Sequence, residues 1–293
     1  MDVQHIGVLH PGAMGISLAA TARNSGHKTY WVSHQRSPQT RLRAEKQGLV
    51  EVQRIAELCE HCSVIVSVCP PHAALEVAEQ VCNCSFKGLY VDVNAISPQH
   101  VKQIEQLMSD VGIDFVDGGI IGPPAWSPQT TWLYLSGPSA GQASRCFSGG
   151  PLEVEVMGSE IGKASALKMC FAANSKGTTA LLCAIMAAAE RMGVREELEN
   201  QWSRNGSDFA RSTVNRIRKV TAKAWRFSGE MEEISSTFQA AGLPSGFHLA
   251  ASDIYQRMTR FKDTGDPPPI EEILAALLSV DDQETRSTEP SEP

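Results

Sequence analysis

The run His10-Pro-Gly-Ala-Met-Gly15 links an apolar segment, residues 5–9, to an alanine-rich one, residues 16–23. A strand that enters a tight glycine turn and leaves as a helix aims backbone N–H groups at one point. Glycine lets an anion come close to them. That suits a pyrophosphate, with His10, Pro11, Gly12, Ala13 and Met14 as the contacting turn. The usual spacing is G-x-G-x-x-G. Gly12 and Gly15 keep its second and third glycines, and His10 stands at the first.

A second group of residues addresses the rest of a dinucleotide. Enzymes that use NAD place Asp or Glu about twenty residues past the glycines, on the ribose 2′-OH. Here the segment is Tyr30-Trp-Val-Ser33-His-Gln-Arg36-Ser37, with no acid at that place, and Thr40, Arg41 and Arg43 follow. An arginine with hydroxyls beside it, Ser33, Arg36 and Ser37, fits the dianionic 2′-phosphate of NADP. The plainer role for these arginines is to solvate a helix start.

Two more segments read as strand ends that face the same crevice: Ser67-Val-Cys69-Pro70-Pro71 and Val91-Asp-Val-Asn94. Pro70 and Pro71 read as a wall rather than a catalyst, because proline fixes the loop and removes donors, and Cys69 and Pro70 are the cofactor contacts expected there. Asn94 suits a nicotinamide ribose or carboxamide and equally an Asx turn ahead of Ser97-Pro98. Lys168 supplies a proton-transfer group. At helical spacing it shares a side with Ala172, Ser175 and Thr179, a stripe of small residues rather than a solvated charged face. Lys176, two turns on, is a second cation, for an anionic substrate or for solubility.

These residues need a particular scaffold. Short apolar runs at 4–9, 28–33, 63–68, 88–93, 113–117 and 131–136 alternate with helical patterns, which predicts parallel βαβ units. Residues 152–157 alternate apolar and charged, as an edge strand does. From 162 to about 192 there is no proline, and Ala, Leu and Met dominate, which predicts one helix of about thirty residues. Further helices follow, with breaks near Gly206, Gly229, Gly242-Leu-Pro244 and Asp266-Pro-Pro-Pro269. The fold class is therefore α/β: a Rossmann-type doubly wound sheet, then a long interdomain helix and an all-α C-terminal domain. The expected boundaries are 1–160 for the NADP-binding domain, 161–281 for the long helix with a substrate and dimerisation domain, and 282–293 for a disordered tail.

Composition narrows the function further. The 293 residues carry a net charge of −7 and 42% hydrophobic residues, which argues against nucleic acid or an anionic membrane as partner. No apolar run is long enough to span a bilayer, and a strand begins by residue 3, so the expected location is cytoplasmic. Cys59, His61, Cys62, Cys82 and Cys84 invite a zinc reading. Cys-x-Cys is poor chelate geometry, however, and these read as buried thiols, with no metal expected.

With those residues placed, the chain resembles the 6-phosphogluconate dehydrogenase and β-hydroxyacid dehydrogenase superfamily. Residues 3–160 are similar to its cofactor domain: Ile6-Gly-Val-Leu-His-Pro-Gly-Ala-Met-Gly15 stands where the family has Ile-Gly-x-x-Gly-x-Gly-x-Met-Gly. Phe115-Val-Asp-Gly-Gly-Ile-Ile-Gly122 stands at its Asp-x-x-x-Ser-Gly-Gly, and residues 158–168 lead to its catalytic lysine, here Lys168. Arg226-Phe-Ser-Gly-Glu-Met-Glu-Glu-Ile234 and Ala241-Gly-Leu-Pro-Ser-Gly-Phe-His248 resemble the branch with a phosphogluconate-dehydrogenase-like C-terminal domain, in which a Leu-His-Pro-Gly turn is usual.

The resemblance implies an NADP(H)-dependent oxidoreductase that moves hydride between nicotinamide and a small carbonyl or secondary alcohol, with Lys168 as general acid/base. It implies substrate contacts at Ile121 and Gly122, and a homodimer interlocked through residues 162–281. The chain also departs from the pattern: Ile121 replaces the family's serine, Pro123 a glycine, and Ala172 the asparagine one turn past the lysine. Gly-Gly-Ile with a proline-bearing loop is similar to imine reductases, for which Glu230, Glu233 and His248 are the candidates to receive a cationic substrate. Glu230, Glu232 and Glu233 equally suit the first turn of a helix. A third alternative is a non-catalytic NADP-binding sensor.

Overall fold

The computed structural model describes residues 3–262 and 264–279; the tail expected at 282–293 lies outside the described residues. The described residues divide into two compact units, one formed by residues 3–173 and 232–245, the other by residues 174–231 and 246–279.

The first unit is built on an eight-stranded sheet. In chain order it contains β1 (His5–Val8), α1 (Ala13–Asn24), β2 (Lys28–Val32), α2 (Pro38–Lys46), β3 (Val50–Val52), α3 (Ile55–His61), β4 (Val64–Ser67) and α4 (Ala74–Cys82). There follow β5 (Leu89–Asp92), α5 (Pro98–Asp110), β6 (Asp114–Ile121), β7 (Trp132–Ser136), α6 (Ala140–Arg145), β8 (Glu153–Val156) and α7 (Lys163–Ala172). The strand order is β3-β2-β1-β4-β5-β6-β7-β8. Every neighbouring pair is parallel except β6 with β7, which is antiparallel.

Strands buried on both faces need apolar residues at every position, not every second one. β4 shows why: Val64 and Val66 enter one core with Ile6, Val8, Leu18 and Trp31. Ile65 points the other way, into a second core with Tyr90, Phe115 and Leu58. β8 lies at the edge, as its alternation of charge predicts. β3 was not expected from the sequence; its three residues, Val-Glu-Val, are too short to show a period.

The second unit is helical. It contains α8 (Thr178–Arg191), α9 (Arg195–Trp202), α10 (Phe209–Val220), the first part of α11 (Ala224–Ala240), α12 (Gly246–Gln256) and α13 (Ile270–Leu278). Cys183, Met186, Ile217, Tyr255, Ile273 and Leu274 are among its buried side chains. Two expectations need correction. The helical stretch from 162 to 192 is interrupted by a π-helical turn, Ala173–Gly177, so regular 100° spacing does not carry from Lys168 to Ser175 and Thr179. Gly229 breaks nothing: α11 runs through it, which leaves Glu230, Glu232 and Glu233 in mid-helix rather than in a first turn.

Candidate active site

In a doubly wound sheet the ligand crevice lies outside the carboxyl ends of the strands, where the order reverses. Here that point falls between β1 and β4, so the loops after them, His10-Pro11-Gly12 and Val68-Cys69-Pro70, form its two lips. α1 begins directly behind the first lip. Gly12 is its N-cap, no side chain caps it, and its first turn holds no acid. The unsatisfied N–H groups of this turn make a local positive field.

The two glycines do different work. A Cβ on Gly15 would sit 2.1 Å from the carbonyl oxygen of His10, so glycine alone lets the helix fold back under the turn. A Cβ on Gly12 would meet nothing within 4 Å. The space over Gly12 is open, as a cradle for a pyrophosphate requires. His10, at the family's first glycine, is mostly buried. Burial, with the Arg36 charge adding to it, lowers its pKa to about 4, so the ring is neutral at pH 7. Its Nδ1 has no hydrogen-bond partner in the described structure.

Arg36 is the cation at this crevice. It lies in the turn after β2, half-buried, with burial lowering its pKa and with Nε lacking a partner. Its charge reaches both His10 and Cys69, one on each lip. Two of its neighbours are otherwise engaged. Ser37 Oγ caps α2, accepting from Thr40 N at 3.3 Å, and Arg41 bonds Glu51 at 3.1 Å and the Ser33 carbonyl at 2.9 Å. Ser33 itself is fully buried. An unpartnered guanidinium edge, an open glycine turn and a bare helix N-terminus fit a phosphorylated dinucleotide.

Asn94 belongs to the frame of the crevice rather than to its lining. Its Oδ1 accepts from Cys69 N at 2.6 Å, and its Nδ2 donates to Ser67 Oγ at 3.1 Å and Asp92 Oδ2 at 2.9 Å. With both amide hydrogens used and only 2% exposure, it ties the loop after β4 to the end of β5 and offers a ribose no free donor. The Asx turn at this point is made by Asp92 rather than by Asn94: Asn94 N donates to Asp92 Oδ1 at 2.9 Å. Burial raises the Asp92 carboxyl to about 7. Burial likewise pushes the Cys69 thiol up to about 12, which makes it a wall and not a nucleophile.

Lys168 is positioned by contacts that the sequence alone did not disclose. Its Nζ donates to the carbonyl of Ile120 at 2.7 Å, at the carboxyl end of β6, on the same sheet edge as the crevice. α7 reaches β6 this closely because Gly119 has no side chain: a Cβ there would lie 2.6 Å from the Ala164 oxygen and 3.1 Å from Lys168 Cβ. Gly118 does the same toward β5, where a Cβ would lie 2.4 Å from Val93 Cγ1.

Asp117, fully buried, pins the start of α7. Its carboxylate accepts from Gly162 N at 3.0 Å, Ser165 N at 3.1 Å, Ser165 Oγ at 2.6 Å and Ser136 Oγ at 2.8 Å. Burial raises its pKa, and these four donors oppose that. The Asp-Gly-Gly run was the available signal. Recognising it required knowing that β6 carries the lysine helix.

The remaining candidates divide as follows. Ile121 is half-buried at the end of β6, and Gly122 begins an exposed loop at φ 128°, where a Cβ would strike the Thr130 oxygen at 2.2 Å. In the second unit, Lys176 and Glu230 form an ion pair with each other, both largely buried. Each of these charges is met by the other within the fold. His248 is 4% exposed, and burial lowers its pKa. In the first unit, Glu233 receives His100 Nδ1 at 3.0 Å and Ser97 N at 2.8 Å, so it too is engaged. Among the described residues no three of His, Cys, Asp or Glu group as a metal site, and no helix is long and apolar enough to cross a membrane.

The sheet order and its glycine turn define an α/β dinucleotide-binding domain followed by a helical domain. Residues 5–145 match the family described as the NAD binding domain of 6-phosphogluconate dehydrogenase, and residues 189–258 match a domain of unknown function, DUF1932. The chain thus carries a cofactor domain of the 6-phosphogluconate dehydrogenase type followed by a DUF1932 domain.

An uncharacterized 28.5 kDa protein of Methanothermus fervidus is 31% identical over 56% of this chain and 62% of its own length. The mitochondrial 3-hydroxyisobutyrate dehydrogenase of Drosophila melanogaster is 24% identical over 76% of this chain and 65% of its own. The chain thus spans somewhat less than two thirds of the length of these curated relatives. Among solved structures, the conserved protein MTH1747, described as similar to 3-hydroxyacid dehydrogenases, aligns over 88% of this chain and 98% of its own with TM-score 0.62 and 27% identity. An Aspergillus terreus reductive aminase in complex with NADPH shares the fold at TM-score 0.56 and 14% identity, over 94% of this chain and 99% of its own.

Proposed function

We propose that the chain is an NADP(H)-dependent oxidoreductase that transfers hydride between nicotinamide and a small carbonyl or secondary alcohol, with Lys168 as the general acid/base. The observation that carries this reading is the lysine fixed to the Ile120 carbonyl, on the sheet edge where the phosphate cradle opens. The turn from His10 to Met14 would receive the pyrophosphate on its backbone N–H groups, Pro11 having none to give, and Arg36 would meet the 2′-phosphate. When bound, the dinucleotide supplies or accepts the hydride. Lys168 Nζ gives its proton to the substrate oxygen as a carbonyl becomes a hydroxyl, and takes it back in the other direction. Its bond to Ile120, with Asp117 fixing the helix start, holds Nζ in one place, so little ordering is left to be done on binding.

Imine reduction on the same fold is less well supported, because Glu230 and Glu233, the carboxylates suited to a cationic substrate, already hold Lys176 and His100. The proposal extends to a homodimer through residues 162–281. Phe171 in the first unit and Leu181, Phe247 and Leu249 in the helical unit are between 44% and 51% exposed, apolar side chains that a second copy would cover. Sedimentation reads this directly, as a dimer mass that persists on dilution.

The function is tested by following NADPH absorbance with parallel panels of oxo acids, ketones and cyclic imines. Turnover of carbonyl substrates is expected, and Lys168→Ala should lose about 10²-fold in turnover while keeping its NADPH affinity. NADPH binding without turnover on any panel would point to the sensor alternative, and a normally active Lys168→Ala variant would remove the assigned role.

A further inference from the structure

The second unit contains a cleft of about 580 Å³, within the range of small-molecule sites. Ser175 and Lys176 of the π turn are among the residues that line it. A π turn carries one more residue than the regular helix and disturbs the i→i−4 ladder, and such turns recur at functional sites. Here the carbonyls of the turn are taken up by side chains from other helices. Ser175 O accepts from Arg216 at 2.6 Å, and Lys176 O accepts from the Tyr255 hydroxyl at 2.8 Å. Arg216 Nε also donates to Thr179 Oγ1 at 2.7 Å, so the guanidinium is held in one orientation at the cleft.

The charges in the cleft do not cancel. Lys176 is neutralised by Glu230, and Asp208 on the rim by Arg211 at 2.6 Å. Arg216 and Lys219 remain, and among the described residues neither has an ion-pair partner. Phe227 and Tyr255 add aromatic wall, and Ser212 and Asn215 add neutral polar groups at the rim.

We propose that this cleft binds a small organic dianion, either a dicarboxylate or a phosphate monoester. Its two negative charges are met by Arg216 and Lys219, and its carbon skeleton lies against Phe227 and Tyr255. One cation held in place, Arg216, and an exposed one, Lys219, beside an aromatic wall select charge and size together, and an anion's oxygens accept charge-assisted bonds from both. The site is independent of the dinucleotide reading, since every residue in it belongs to the helical unit.

Calorimetric titration of the full chain without dinucleotide tests it, with succinate and inorganic phosphate as probes and acetate as the monoanionic control. One of the two dianions should bind at least about tenfold more tightly than acetate, and which one does so identifies the ligand class. Lys219 is exposed, so Lys219→Ala should leave the melting temperature unchanged while weakening the dianion about tenfold. Lys219→Glu should abolish binding. Absence of dianion binding at millimolar concentration, or equal binding by wild type and Lys219→Glu, overturns the proposal. Both readouts are indifferent to whether the chain is a dehydrogenase.

Discussion

Alanine at Gly12 and alanine at Gly15 should fail in opposite ways, although the residues are three apart in one turn. At Gly15 the new Cβ begins 2.1 Å from a backbone oxygen, and real Cβ contacts essentially never fall under 3.0 Å. The strand-to-helix turn must therefore open by close to an ångström. Overpacking of this kind costs about 1–3 kcal/mol. In a protein of this size that lowers Tm by roughly 3–10 °C. At Gly12 the backbone is extended, φ −67° and ψ −165°, and the Cβ meets nothing, so alanine fits without strain and Tm should hold.

The same methyl occupies the space through which a pyrophosphate reaches the N–H groups of α1. Losing one charge-assisted bond of about 1.5–3 kcal/mol corresponds to about a 10- to 100-fold loss in affinity. Thermal melts and NADPH titration on both variants separate the two effects. Gly12→Ala should melt like wild type and bind weakly; Gly15→Ala should melt early. A Gly12→Ala variant that binds NADPH as tightly as wild type would refute the cradle.

Gly119→Ala should act on the lysine and not on the cofactor. The methyl drives α7 off β6 by about half an ångström, and since a displacement of about 1 Å costs about 10²-fold, turnover should fall about tenfold with NADPH affinity unchanged. If instead affinity falls and turnover per bound NADPH persists, the contact does not position Lys168. His10 should leave a mark on stability at acid pH. Its pKa is depressed from 6.5 unfolded to about 4 folded, so the unfolded chain binds the extra proton between those values. Stability is then full above pH 6.5 and is lost as pH falls toward 4, by about 3 kcal/mol. A melt series over that window should fall less steeply for His10→Gln, and parallel slopes in the two proteins would contradict the assignment.

How much of this could be read from the residues follows from where the information lies. The crevice turn was legible because strand, glycine turn and helix are adjacent in sequence, and the missing acid after Val32 is a local fact. The buried strands of the sheet were legible because both their faces need apolar residues. The work of Asp117, Gly118 and Gly119 was not, since it depends on α7 returning to β6 some forty-five residues later. Spacing placed Lys168 on a helix, but the π turn broke the phase on which its neighbours were assigned, and nothing in Ala-Asn-Ser-Lys-Gly announces such a turn. Glu230, Glu233 and Asn94 looked available because a sequence shows a side chain's chemistry and not its partner. Each of the three is already hydrogen-bonded within the fold.

The central claim is a crevice made for NADP(H), and the affinity ratio of NADPH to NADH tests it most directly, measured on wild type and Arg36→Ala. Arg36 has an unpartnered Nε and no ion pair among the described residues, while no acid stands where a 2′-OH would be held. Wild type should prefer NADPH by about 10- to 100-fold, the worth of a charge-assisted bond to phosphate. Arg36→Ala should lose that preference by weakening NADPH alone, with NADH affinity unmoved. Equal affinities in wild type, or a variant that weakens both nucleotides alike, would contradict the account.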